Sequence, residues 1–238
     1  MDKSSVPVLL SGQRLQGRRV EMIANNLANL STDGFRAQRA LASEVVLSRG
    51  GPSLSLARFA SAITTPEQGA VRRTGAPLDL AIQGEGFFQL EQTDGTRLLS
   101  RAGRFVRGVD GAIVSPDGAR LLGLGGAPLQ LDPAGGLPEI AADGTITQDG
   151  VPQGQVAVFD APPRLERLGR AAFAAPAGLQ PLVDGRVSQG MLEGANVEPV
   201  SELAAMIDAS RRYELVQGLM DREDGRVRNL IETFARAS

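Results

Sequence analysis

MIDASRRYELVQGLMDREDGRVRNLIETF, Met206 to Phe234, is the stretch on which the reading of the whole chain turns. Met206, Tyr213, Met220, Val227 and Phe234 recur every seven residues, and Ala209, Val216 and Leu230 fill the alternate positions three residues on. That spacing draws an apolar seam along a helix, too narrow to be satisfied without a partner helix. Near the other end of the chain Val6, Leu9, Val20, Ile23, Leu27 and Leu30 follow the same three-four spacing, interrupted by Gln13 and Gln16. A turn-rich, strand-like middle separates the two. Terminal helices that pair with each other and with copies of themselves follow the logic of a filament subunit, although helix pairing inside one globular domain has the same period.

Working outward, the last helix starts between Asn196 and Pro199, because Asn caps helices and Pro is tolerated in the first turn. Running to Arg236 it spans about 57 Å, more than a domain of this size needs. Gly218 and Gly225 interrupt it on one line opposite the seam, each costing roughly 1 kcal/mol relative to Ala. Two readings stay open there: close approach of another helix backbone, or fraying in a mobile tail.

The first helix runs from near Val6 to Leu30, about 37 Å. It stops at Ser31-Thr32-Asp33-Gly34, where Gly tolerates the positive φ of a helix end. Asn25, Asn26 and Asn29 are poor helix formers beside the seam. Their amides either bond a neighbouring chain or the turn that follows, or form a solvated face at a frayed end. If the two helices pair antiparallel from end to end, Gln16 falls near Glu223 as a polar, register-setting layer.

Between the helices, residues 41–75 are rich in Ser, Gly, Thr, Pro and Ala and read as an extended connector, with or without short strands. Asp-Gly pairs then punctuate the chain at Asp94, Asp110, Asp117, Asp143, Asp149 and Asp184, with short apolar runs between them, the pattern of antiparallel hairpins. Leu78, Leu80 and Ile82 alternate before Gly84-Glu85-Gly86, and Phe87 to Leu90 resumes after it. The expected fold class is α+β: long terminal helices pairing in a coiled-coil-like manner, with a mainly antiparallel β domain inserted. The expected division is 1–40 for the first helix and its turn, 41–75 for the connector, 76–189 for the β domain and 190–238 for the return turn and last helix.

Composition removes most chemistry. The 238 residues contain no His and no Cys, which excludes Ser-His-Asp and Cys-His nucleophiles, zinc sites built on imidazole or thiolate, and disulfides. A net charge of −2 and a single Tyr without Trp offer neither the basic excess nor the stacking surface for nucleic acid. No run approaches a membrane span, and Met1-Asp2-Lys3-Ser4-Ser5 lacks the features of a secretory signal. Residues 1–40 hold six Lys/Arg against three Asp/Glu, while 196–238 hold six Arg against eight, so the ends are weakly complementary. Asp79 with Glu85 is the one carboxylate pair weighed for acid-base work, but Glu85 reads better as a turn residue. Gly123-Leu124-Gly125-Gly126 lacks the strand, spacing and helix of a phosphate loop and reads as a turn. No calcium-loop spacing occurs. No catalytic, cofactor or metal residues are assigned.

ANNLANLSTDGFRA, Ala24 to Ala37, resembles the signature near the start of bacterial flagellar rod and hook proteins. TGAPLDLAIQGEGFFQL, Thr74 to Leu90, and SRAGRFVRGVDGAIVSPDGARLLG, Ser100 to Gly123, are similar to the β domain of that family. QGMLEGANVEPVSELAAMIDASRRYE, Gln189 to Glu214, is similar to its C-terminal motif, including the Glu-Gly-x-Asn-Val turn. The blocks occur in family order, and the short connector without a large inserted domain resembles the proximal-rod members more than distal-rod or hook proteins.

The resemblance implies a structural subunit whose paired terminal helices form the inner layer of an axial tube, with the β domain outward. It implies assembly with other rod proteins and with copies of itself, export through the flagellar type III apparatus without a cleavable signal, and a place in the basal-body rod crossing the periplasm. The matching positions are Asn25, Asn26, Asn29, Gly34, Phe35 and Asn196. No nucleic acid, membrane insertion or small-molecule substrate is expected. The alternative of another class is a periplasmic glycan-directed enzyme using carboxylates of the β domain, with the helices as a docking tail.

Overall fold

A computed structural model describes residues 5–47, 54–160 and 165–237. Helix α1 spans Ser5–Ala28 and is followed by strands β1, Gln38–Leu47, and β2, Leu54–Thr64. The next strands are β3 (Val71–Arg73), β4 (Leu80–Gln83), β5 (Phe87–Glu91), β6 (Arg97–Ser100), β7 (Val106–Arg107), β8 (Ile113–Val114) and β9 (Arg120–Leu121). Then come β10 (Glu139–Ile140), β11 (Thr145–Gln148), β12 (Val151–Gln155), β13 (Val158–Phe159), β14 (Ala172–Ala174), β15 (Arg186–Gln189) and β16 (Met191–Glu193). Helix α2, Pro199–Ala237, closes the chain. The fold is mixed α and β, and the strand pairs among the described residues are antiparallel.

The chain divides into two compact units. The first gathers α1, the β1–β2 hairpin and α2; the second holds residues 29–37 and 66–197. The short turn segment 29–37 thus belongs with the β strands of the second unit.

In the β unit, β5 is the central strand. It pairs with β6 along one edge, and its other edge is shared by β13 at Phe87–Phe88 and β9 at Leu90–Glu91. Both faces of β5 are buried, which is why Phe87 to Leu90 reads as a continuous apolar run broken only by Gln89. Phe88 and Leu90 enter the larger core with Leu80, Ile82, Leu98, Ile113 and Leu121. Phe87 points the other way, into a smaller core with Leu99, Phe159 and Phe173. Each aromatic meets a second ring edge-on, Phe88 with Phe105 at 5.5 Å and Phe87 with Phe173 at 5.7 Å. The Asp-Gly turns behave as their chemistry requires: Gly95, Gly111, Gly118, Gly144 and Gly150 have positive φ, and Asp94 and Asp143 accept the backbone N–H two residues on.

In the helical unit, part of the stretch whose composition points to an extended connector forms a long hairpin. β1 and β2 pair from Gln38↔Thr64 to Leu47↔Leu54, with a bulge between Leu41 and Ala42. The signal in the sequence is weak because Ser and Ala fill many of the ladder positions. The two helices meet where the Gln13 amide donates to the Tyr213 hydroxyl at 3.5 Å and the Tyr213 ring lies over Gly17, 3.8 Å from where a Cβ would sit. The expected opposition of Gln16 and Glu223 is not found, because Tyr213 occupies that level of α1. Glu223 instead pairs with Arg226 at 2.7 Å along its own helix.

The doubly buried strand makes a direct prediction. Phe88 is fully buried and makes both an aromatic and an aliphatic contact, so Phe88→Ala should lower the unfolding free energy of the β unit by about 3–5 kcal/mol. Urea denaturation followed by circular dichroism measures this as a lower midpoint at unchanged slope.

Candidate assembly surfaces and the buried clasp

Two sets of residues bear on function: the apolar seam on the helices and the signature turn of the β unit. Along α2, Ala209 is buried and Met206, Tyr213, Val216 and Met220 are half-buried, while Val227 is 36 % exposed. On α1, Leu9, Val20, Ile23 and Leu27 are half-buried. The side chains of Val6, Leu230 and Phe234 lie outside the described residues. Leu30 belongs to the other unit and packs on Phe35, Ala37 and Val197. The best-buried apolar residue of α1 is Leu15, at 7 % exposure, which the seam spacing misses. It lines, with Leu56 and Phe59 of β2, a groove that could be foreseen only once the hairpin was known. Nothing lies within 4 Å of a Cβ built on Gly218 or Gly225, so the face they mark is open in the single chain.

The asparagines of the first helix find their partners within the chain. Asn26, 1 % exposed, grips the backbone of Gln38 from both sides: its Oδ1 accepts the N–H at 2.9 Å and its Nδ2 donates to the carbonyl at 3.0 Å. Asn29 accepts the Thr32 N–H through its carbonyl at 3.0 Å and the Thr32 hydroxyl through its side chain at 3.2 Å, closing the turn. Asn25 is exposed. Of the two readings of these amides, bonding to the turn that follows describes Asn26 and Asn29.

The turn itself is locked from below. Gly34 has φ +69°, and a Cβ there would stand 2.2 Å from the Ala102 nitrogen, so both conformation and space demand glycine. Phe35 is buried, and the Arg167 guanidinium stacks between it and Phe173 at 4.9 and 4.8 Å. Arg36, 2 % exposed, pairs with Glu193 of β16 at 2.9 Å, and Arg101 pairs with the other oxygen of the same carboxylate at 3.1 Å. The Gly69 N–H and the Gln68 amide each add a bond to Glu193 at 3.2 Å. Asn196 accepts the Ala37 N–H at 2.6 Å, donates its own N–H to the Phe35 carbonyl at 3.2 Å and its amide to Glu67 at 2.8 Å. At the rim, Asp33 pairs with Arg72 and Arg104 at 3.0 and 2.9 Å.

Burial alone pushes the Arg167 guanidinium down to about 10; for Arg101, also down to about 10, and for Arg36, also lowered, desolvation outweighs the attraction of Glu193. Arg101 and Arg167 therefore remain charged at neutral pH. The arrangement is one carboxylate serving two buried cations, a structural device with no reacting group. Sequence reading missed Arg36, Arg101, Arg167 and Glu193. For Glu193 a signal exists, since it stands in the Glu-Gly-x-Asn-Val turn; Arg36, Arg101 and Arg167 have none. Asp79, buried, and Glu85, exposed, lie at opposite ends of β4, a strand about 13 Å long, and do not form an acid-base pair. Among the described residues there is no group of acidic side chains fit to hold a metal, and no helix is long and apolar enough to cross a membrane.

These features coincide with three family matches. Residues 8–36 match the description "Flagella basal body rod protein", 81–151 "Flagellar hook protein FlgE/F/G D1 domain", and 188–232 "Flagellar basal body rod FlgEFG protein C-terminal". The flagellar basal-body rod protein FlgF of Mesorhizobium japonicum is 34% identical over 92% of each chain. FlgF of Rhizobium meliloti is 32% identical, covering 95% of this chain and 96% of its own. The chain belongs to the flagellar basal-body rod protein family. The rod protein FlgG of Agrobacterium fabrum is 31% identical over 89% of this chain, so the likeness extends across rod types. In this family member the first match ends at Arg36, the second contains Arg101 and the third contains Glu193 and Asn196, so the clasp joins all three matched regions.

Two substitutions test the clasp. Glu193→Gln leaves two buried cations without a counter-charge and should destabilise the β unit by about 3 kcal/mol, whereas Glu198→Gln, exposed nearby, should change little. Asn26→Ala removes both bonds to Gln38 and should cost about 1–3 kcal/mol while raising the intrinsic helicity of α1. Chemical denaturation and hydrogen exchange at the start of β1 measure these effects.

Proposed function

We propose that this chain is a structural subunit of the flagellar basal-body rod, of the FlgF type, and that it assembles with other rod proteins and with copies of itself to transmit motor torque to the hook and filament. The observation that carries the reading is the state of α2. It is a 39-residue helix that keeps large apolar side chains in water in the single chain: Leu203, Ile207, Leu215 and Ile231 are each more than half exposed. A helix that is apolar on several sides is built to be surrounded by protein. Family membership supports the same role, since the relatives above are named as basal-body rod proteins.

In this reading α1 and α2 pair in a coiled-coil-like axial layer through Val6, Leu9, Val20, Ile23 and Leu27 on one helix and Met206, Tyr213, Val216, Met220, Val227, Leu230 and Phe234 on the other. Leu30 extends the stripe to the turn. Gly218 and Gly225 admit a neighbouring helix backbone on the opposite face. The subunit is exported by the flagellar type III apparatus and lies in the rod as it crosses the periplasm. Asp79 and Glu85, the carboxylate pair weighed for the glycan-directed alternative, lie at opposite ends of β4 and do not support it.

Replacing Gly218 by Leu should abolish swimming in soft agar and remove the subunit from purified basal bodies, although Leu is the better helix former. The isolated protein should keep its β unit, with an unchanged denaturation midpoint. Normal motility and normal incorporation of this variant would mean that no helix approaches that face.

A further inference from the structure

The smaller core of the β unit stops short of the end of its sheet face, and beyond it lies a cavity with an unpartnered polar group in its wall. Side chains alternate along a strand, so Gln89 of β5 shares the face of Phe87, and Arg97 of β6 shares the face of Leu99. Phe87, Leu99, Phe159 and Phe173 fill one part of this face. Past them opens a cavity of about 440 Å³, walled by Leu124 of the turn after β9, Phe159 of β13, and Ala175, Leu179 and Pro181 of the segment after β14. All of these residues belong to the β unit.

Two polar side chains line this cavity. Gln89 is 5 % exposed, and its carboxamide makes no hydrogen bond among the described residues. Burying an amide without a partner is costly, and a leucine at the same place would avoid the cost. Arg97 stands half-exposed at the mouth, and its contacts are long: Nη2 donates to the Gly126 carbonyl at 3.4 Å, and Nε lies 3.7 Å from the Glu91 carboxylate. Gln89 opposes Leu99 and Arg97 opposes Glu91, so Gln89 and Arg97 are diagonal neighbours, about 7–8 Å apart. Two residues of extended chain span about the same length, roughly 7 Å.

We infer that this cavity is a peptide-binding site, which takes an extended segment of a partner protein carrying an apolar side chain with an acidic residue within two positions of it. The Gln89 carboxamide offers donor and acceptor together, the complement of the N–H and carbonyl of one backbone residue. Asn26 makes such a pair with Gln38 in this same chain. The apolar side chain of the segment meets Leu124, Phe159 and Leu179, while its carboxylate gives Arg97 a charge-assisted bond in place of two long contacts. A purely apolar ligand such as an acyl chain would leave Gln89 unpaired. This recognition uses no residue of α1 or α2, so it is independent of the helix contacts proposed above.

Random peptides displayed on phage are selected on the full-length protein. The recovered peptides should share an apolar residue with Asp or Glu within two positions of it, and selection on Arg97→Gln should lose the acidic preference. A synthetic peptide from the first selection should bind Arg97→Gln about tenfold more weakly and Gln89→Leu more weakly still. Gln89→Leu should meanwhile keep or raise the denaturation midpoint, which a residue serving only the fold would not do. A selection that yields no shared motif, or peptides that bind both variants as tightly as the unsubstituted protein, overturns the inference. If Gln89→Leu does not fold, Arg97→Gln, a change at a half-exposed side chain, decides alone. None of these outcomes bears on the rod assignment.

Discussion

A single carboxylate, Glu193, pairs with two buried guanidinium groups, and the three residues come from distant parts of the chain: Arg36 from the signature turn, Arg101 just after β6, Glu193 from β16. Burying a charge is costly unless it is paired and hydrogen-bonded, and Glu193 gains further bonds from Gly69 and Gln68. The clasp therefore forms only when all these segments are in place. Replacing such a cluster by apolar residues of equal volume need not weaken a fold, so its value here is selectivity: it admits one arrangement of the turn on the strands and penalises every other.

Asn196 extends this selectivity to the chain crossings. The polypeptide passes between the two compact units at residues 28–29, 37–38, 65–66 and 197–198. Asn196 bonds Ala37, Phe35 and Glu67 and precedes Val197, so one amide touches the chain beside three of those crossings. Asn29 closes the turn beside the fourth. An Asn is suited to this because it offers donor and acceptor on one short side chain, where Asp would lose the bond to the Glu67 carbonyl and Ser could not span both partners.

What the sequence made legible follows periodicity and turn chemistry. The seven-residue recurrence from Met206 to Phe234 lies within a helix whose start, Pro199, is where capping rules put it. The Asp-Gly turns carry the expected positive φ at Gly95, Gly111, Gly118, Gly144 and Gly150, and Gly185 does not. The β1–β2 hairpin was hidden by residues of low strand propensity, and with it went the reason for burying Leu15. The clasp was hidden for a different reason. A buried ion cluster has no period, and Arg36 is indistinguishable in sequence from an exposed arginine until Glu193, far along the chain, is brought beside it.

The separation of a charged, self-sufficient clasp from apolar helices left in water is what a subunit that assembles from single chains requires. If the contacts that hold the turn were apolar, they would compete with the helices for the same non-directional attraction, and misdocked states would be close in energy. Directional pairing of Arg36 and Arg101 on Glu193, with Gly34 seated against the Ala102 backbone where no Cβ fits, removes that competition. The β unit can then reach its final form within one chain. The exposed residues of α2, from Leu203 to Ile231, remain free to take their partners from other chains, where burial of each adds on the order of 1.5–3 kcal/mol that no intramolecular contact has already used.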